Sequence, residues 1–295
     1  MVTPGPVRED HYSVGSIRVG GPGPGEYFAA IESLRDKLKT EPEVVILFDD
    51  SFQGPHVGRL VEFGESLGIP VSYVCLVDYS NSRGAIDMGV TPELLPGYKP
   101  AEQSGMHLKE MLGRDLSVLW VVGANPFKGS GRAPSGRGPQ AKCGFLVVQD
   151  LFLTETAQQA DVVFPSASAY EKNGTVTNVT GEVQRLKRAV NTMGAKPDLE
   201  IMGFMAREMG AAQALGPWTP DVVFEDIRKT VRGYDVSLPV VAAGGAAQTM
   251  PLNGRIPVKS RPDLVRSDHN GLFASGTLGR YSKVLNSVLE SRLNR

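Results

Sequence analysis

Cysteine is scarce: the 295-residue chain holds two, Cys75 and Cys143, far apart and each beside an apolar strand-like run. With no C-x-x-C pair, the chain cannot by itself hold an iron-sulfur cluster or a Cys-rich zinc ion. Two buried thiols in a reducing compartment account for both residues. Histidine is equally thin, since His11, His56, His107 and His269 are scattered without metal-ligand spacing and none stands out as a general acid or base. Neither sign of charge prevails, with 31 Lys and Arg against 32 Asp and Glu, so no broad field draws nucleic acid or anionic lipid. Apolar runs stay well short of the roughly 20 residues that cross a bilayer, and the N-terminus shows no basic, then apolar, then small-residue leader. A cytoplasmic protein is expected. No G-x-G-x-x-G follows a strand and no G-x-x-x-x-G-K-[ST] occurs, so the usual phosphate cradles of NAD enzymes and P-loop NTPases are missing. GESLG (64–68) fits G-x-S-x-G, but Ser66 falls in a helical pattern where a nucleophile elbow needs a preceding strand.

What is present reads as a globular α/β chain, 41% hydrophobic. Residues 1–25 end in GGPGPG and are too poor in apolar side chains to offset the entropy of ordering them, which predicts a flexible arm. Tyr27, Ile31, Leu34 and Leu38 share one helical face, followed by VVILF (44–48), a β-branched run of the type buried on both faces of a parallel sheet. A helix over Val57, Leu60, Gly64 and Leu67 leads to the strand VSYVCLV (71–77). After a long loop come a short helix near 106–112 and the strands VLWVV (118–122), FLVVQ (145–149) and DVVF (161–164), with a short helix in TETAQQA. Alternation of this kind predicts a doubly wound, mostly parallel α/β sheet. Further helices are expected on the face of Leu199, Met202, Ala206 and Met209, after the cap Thr219-Pro220-Asp221, and over Val284, Leu285, Val288 and Leu289, with 238–280 mostly extended or looped. The expected domains are the arm (1–25), an α/β domain (26–213) and a C-terminal helical and extended subdomain (214–295).

Ligands of doubly wound sheets bind where loops leave the carboxyl ends of the strands. Four loops qualify: DDSFQG after residue 48, DYSNSRG after 77, GANPFKG after 122 and QDLFLTET after 148. Gly123 permits close backbone approach, Asn125 or Gln149 can pair a base edge, and Asp150 can accept from a guanine or ribose. Ordinary turn chemistry accounts for any one of these loops; four together favour an inherited binding site. ADVVFPSASAYEKNGTVTNVTGEVQRLK (160–187) adds Glu171, Asn173, Asn178 and Gln184 in an expected loop, for a nucleotide contact or a stiffened connection. The run GSGRAPSGRGPQAK (129–142), with Arg132, Arg137 and Lys142, reads as a solvated insertion or a grip on phosphates or an acidic partner.

VLWVVGANP, FLVVQDLFLTETAQQADVVFP and SASAYEKNGTVTNVTGEVQR follow one another as in the molybdopterin oxidoreductase superfamily, and DYSNSRGAIDMG fits as well. LLPGY and the terminal SGTLGRYSKVLNSVLE most resemble the G subunit of NADH-quinone oxidoreductase, respiratory complex I. The resemblance covers roughly residues 40–190 and implies half of a crevice for molybdopterin guanine dinucleotide, built on Asn81, Gly123, Asn125, Gln149, Asp150, Thr154, Thr156 and Asp161. The cluster cysteines and the metal-ligating side chain of such proteins come earlier than anything in this sequence. In the complex I branch, moreover, this domain is generally a relic that no longer holds the cofactor. The resemblance therefore implies a non-catalytic segment among the other NADH-module subunits, at the inner membrane only through the complex. The competing reading is half of a molybdopterin guanine dinucleotide oxidoreductase, completed by a partner chain that carries iron-sulfur clusters.

Overall fold

The computed structural model describes residues 1–20, 24–49, 52, 54–77, 79–127, 143–211, 218–250, 282–284 and 287. The basic run 129–142, much of DDSFQG and most of the terminal SGTLGRYSKVLNSVLE lie outside the described residues. The described residues up to 77 form one compact unit and those from 79 onward another, a division inside the 26–213 span expected as one domain.

The first unit opens with local structure where an arm was expected. Strand β1 (Val2–Thr3) pairs in parallel with β2 (Ile17–Arg18) around a 3₁₀ turn, Arg8–Tyr12. Asp10 ties that turn together: it accepts from the Val7 N–H at 2.9 Å, from the Ser16 hydroxyl at 2.8 Å and from the Arg18 guanidinium. These bonds hold its carboxyl down at about 2. The expected helix divides into α1 (Pro24–Glu32) and α2 (Arg35–Leu38). Strand β3 (Val44–Asp49), helix α3 (Pro55–Glu65) and β4 (Val71–Leu76) then make a parallel unit, in register from Val44↔Val71 to Asp49↔Leu76. Gly64 sets the approach of α3 to β4, because a Cβ there would collide with the Tyr73 Oη.

In the second unit the expected long loop after residue 77 folds into α4 (Ser82–Asp87) and a small hairpin, β5 (Leu94–Leu95) with β6 (Lys99–Pro100). Helix α5 (Leu108–Gly113) precedes three parallel strands, β7 (Leu116–Val122), β8 (Cys143–Asp150) and β9 (Val162–Pro165), which lie side by side in sequence order. Leu119, Val121, Leu146 and Val148 pack their common face with Phe127 and Ala157, and Met111 and Leu112 close over them. The TETAQQA helix is a single 3₁₀ turn, Ala157–Gln159.

The polar stretch after β9 is not the loop that its composition predicts. It is a hairpin of β10 (Gly174–Thr177) and β11 (Glu182–Leu186), extended by β12 (Ala247–Gln248) into an antiparallel sheet. Asn178 organises the turn by accepting from the Glu182 N–H at 2.9 Å, and Gly181 supplies the left-handed residue at φ 89°. Asn173 accepts from the Arg188 N–H at 3.0 Å and Glu171 from the Ser168 N–H at 2.8 Å, whereas Gln184 is exposed. Most of these side chains therefore stiffen the connection.

Helix α6 (Asp198–Glu208) buries Ile201, while Met209, expected on its inner face, lies past its end and is exposed. Helix α7 (Pro220–Thr230) starts as its sequence predicts, on Thr219, whose Oγ1 accepts from the Val222 N–H at 3.4 Å, with Pro220 in the first turn. A short helix, α8 (Leu238–Ala243), occupies part of the span expected to be extended. Val183, Phe224, Val231, Tyr234, Val236 and Val241 form the second core.

Candidate functional site

A parallel sheet carries its ligand edge at the carboxyl ends of the strands. Here that edge gathers six of the eight expected residues: Gly123 and Asn125 after β7, Gln149 and Asp150 ending β8, and Thr154 and Thr156 beyond it. Gly123 has φ 59°, its N–H donates to Gln149 O at 2.8 Å, and among the described residues, its chain neighbours apart, no atom lies within 4 Å of where a Cβ would stand, so these residues leave backbone approach open.

The polar side chains, by contrast, close on one another. Asn125 Oδ1 accepts from both the Thr156 N–H (3.2 Å) and the Thr156 hydroxyl (2.7 Å), while its Nδ2 donates to Glu155 at 2.6 Å. The Thr156 Oγ1 in turn accepts from the Phe127 N–H at 3.1 Å, and both Thr156 and Phe127 are fully buried. Asp150 accepts from the Phe152 N–H at 3.1 Å and Thr154 from the Ala157 N–H at 3.2 Å. These groups serve the loops that carry them, and a guanine ring would have to break protein bonds to reach them. Asn125, Asp150, Thr154 and Thr156 therefore do not form an open base-reading site.

Two expected members lie elsewhere. Asp161 stands at the amino end of β9, the opposite edge of a parallel sheet, and its carboxylate takes the Leu146 N–H at 2.7 Å. Asn81, at the head of α4, accepts through its Oδ1 from the Thr177 N–H of β10 at 2.8 Å.

Beside Gln149 the structure adds residues that the sequence did not single out. The fully buried Gln149 amide donates to Asp198 Oδ1 at 2.9 Å, and Lys172 pairs with Asp198 Oδ2. The Gln149 Oε1 has no partner among the described residues. Burial pushes the Asp198 carboxyl up, but the Lys172 ammonium and the Gln149 amide more than offset it, leaving the group below its ordinary value of 3.8. A carboxyl lowered on folding stabilises the native state above its unfolded pKa, and that contribution fades as pH falls through 3.8 toward the folded value. Lys172→Met removes the largest lowering influence and leaves burial opposed only by the side chains of Gln149 and Ser166, so the carboxyl rises. Urea midpoints between about pH 3 and 7 are expected to fall with acid in the wild type, and to fall less in the variant. An unchanged acid slope would contradict this assignment.

Among the described residues no helix is long and apolar enough to cross a membrane, and no group of three or more His, Cys, Asp or Glu is placed to hold a metal ion.

Comparison with known proteins matches residues 82–207 to the molybdopterin oxidoreductase family. The second G-type subunit of NADH-quinone oxidoreductase from Rhizobium meliloti is 31% identical over 303 residues, 88% of this chain and 35% of the relative. The F420-dependent formate dehydrogenase alpha subunit of Methanocaldococcus jannaschii is 34% identical over 175 residues, 52% of this chain and 26% of the relative. The NADPH-Fe(3+) oxidoreductase alpha subunit of Geobacter sulfurreducens is 30% identical over 203 residues, 62% of this chain and 24% of the relative. The chain thus spans about a quarter to a third of the length of these curated relatives. Residues 82–207, with the parallel strands and the closed loops at their carboxyl edge, belong to the molybdopterin oxidoreductase family.

Proposed function

We propose that the chain is a non-catalytic segment of the G subunit of an NADH-quinone oxidoreductase, packed among the other NADH-module subunits in the peripheral arm of respiratory complex I. Electrons would pass from NADH to quinone through the complex, with this chain as part of its framework. The observation that carries the reading is reach: similarity to the NADH-quinone oxidoreductase relative runs over 88% of the chain, whereas similarity to the formate dehydrogenase relative covers 52%. The hydrogen bonds that Asn125, Thr154, Thr156 and Asp150 make to protein support it, because they suit a crevice inherited from a guanine dinucleotide site and now turned to holding loops. On this reading 26–213 is the molybdopterin oxidoreductase-like domain, 214–295 an added subdomain, and attachment to the inner membrane is peripheral, through partners. Affinity purification of the tagged chain from its own host is expected to bring down the NADH-oxidising subunits in stoichiometric amount. A monodisperse chain without them would sink the proposal.

A second reading is favoured by the 34% identity to the formate dehydrogenase relative and by the open approach at Gly123. In it the chain is half of a molybdopterin guanine dinucleotide oxidoreductase, with iron-sulfur clusters in a partner. Stoichiometric pterin in the purified assembly would decide for it.

A further inference from the structure

The antiparallel sheet ends on β10, whose outer edge no described strand covers. The phase of its ladder follows from the turn: Asn178 N–H donates to Glu182 O at 3.1 Å, so Val176 opposite Gln184 and Gly174 opposite Leu186 direct their backbone groups to β11. By the alternation of antiparallel pairing, the N–H and C=O of Thr175 and Thr177 turn outward. At Thr177 the N–H is already taken by Asn81 Oδ1 at 2.8 Å. At Thr175 the edge opens on a cavity of about 870 Å³.

The walls of this cavity differ sharply in chemistry. Its apolar side is Trp218, Val223, Phe224 and Ile227, with Trp218 seated on the bare backbone of Gly203, where a Cβ would come within 3.0 Å of the indole. The Trp218 indole N–H is buried and has no acceptor among the described residues. Most charges on the rim are engaged: Lys172 with Asp198, Glu200 with Lys196, and Glu171 with the Ser168 N–H. Arg188 is exposed, and its guanidinium has no partner among the described residues. An open strand edge beside an apolar wall matches the requirements of strand addition, in which main-chain bonds give affinity and flanking pockets give specificity. The Arg188 guanidinium, without a partner among the described residues, offers a place for a negative charge in the occupant.

We propose that this groove receives an extended segment of a partner protein, which adds a strand to β10 at Thr175, lays an apolar side chain against Trp218 and Val223, and sets a carboxylate against Arg188. The groove would serve any partner able to present such a segment, inside a respiratory complex or outside one.

The test is selection of a phage-displayed library of linear peptides on the full chain, followed by titration of one selected synthetic peptide. Trp218 fluorescence in a Trp120→Phe background reports its binding. Selected peptides are expected to combine an apolar and an acidic residue and to shift Trp218 emission. Arg188→Glu should weaken the chosen peptide at least ~10-fold. Because Thr175→Pro would remove the edge N–H but could also unfold the hairpin, the backbone requirement is read on the peptide: N-methylation of its amides, taken one at a time, should abolish binding at one position or more. Failure to enrich any peptide, or binding indifferent to both Arg188→Glu and N-methylation, would overturn the proposal.

Discussion

Asp87→Ala is expected to lower the unfolding free energy by about 3–5 kcal/mol, the range for removing one partner from a buried charged network. Asp87 is 5% exposed and accepts from two tyrosines, Tyr98 at 2.5 Å and Tyr234 at 2.7 Å, with the Arg83 guanidinium 3.6 Å away. Tyr234 also shares a 2.9 Å bond with the Thr177 hydroxyl, so one carboxylate joins α4, the segment after β5, the residues beyond α7 and the hairpin strand β10. Burial, reinforced by the carboxylate, pushes both phenols well above their ordinary value. Without Asp87 the buried Tyr234 hydroxyl and the half-buried Tyr98 hydroxyl lose their acceptor and Arg83 loses its counter-charge. Tyr234→Phe should cost less, about 1.5–3 kcal/mol, the worth of one hydrogen bond to a charged group. Combined with Asp87→Ala it should add far less than its own effect, because the shared bond is already gone. Urea denaturation of the two single variants and the double variant supplies the cycle. Full additivity, or a loss under about 1 kcal/mol for Asp87→Ala, would mean that the network does not hold these elements together.

The second large effect belongs to the sheet edge. Thr156→Val preserves shape but removes the hydroxyl that donates to Asn125 and accepts from the Phe127 N–H. Because Phe127 is completely buried, its N–H would be stranded, at a cost of about 2–3 kcal/mol. Asn125→Ala breaks the same pair from the other side, so the double variant should again fall short of the sum. Thermal denaturation checks both. In a scaffold these residues matter for stability alone, and the variants should change melting temperature while the subunit composition of the purified assembly stays constant.

The parallel strands are legible because their signal is local. VVILF, VSYVCLV, VLWVV and FLVVQ are apolar, largely β-branched runs, and they appear as β3, β4, β7 and β8 within a residue or two at the ends, although Val45 and Leu47 are exposed and β3 is therefore not buried on both faces as its composition predicts. The rule that ligand loops leave carboxyl ends then gathers Gly123, Asn125, Gln149, Asp150, Thr154 and Thr156. It fails for Asp161 because that residue precedes its strand, and in a parallel sheet this puts it at the other edge. The hairpin of β10 and β11 resembles a loop in sequence because Gly174, the threonines and Asn178 are turn formers by composition. Their alternation against Val183, which is fully buried, is the available cue. Nothing local marks Asp87 or Asp198. Their partners Tyr234 and Lys172 stand 147 and 26 residues away, and only the folded chain brings them together.

Whether the chain serves as framework in a respiratory complex is tested most directly by elemental and pterin analysis of the assembly purified from its own host. A framework role predicts iron confined to partner chains, with neither molybdenum nor tungsten nor pterin in stoichiometric amount. One equivalent of pterin guanine dinucleotide with molybdenum or tungsten, released on replacing Asp150 with Ala, would contradict it.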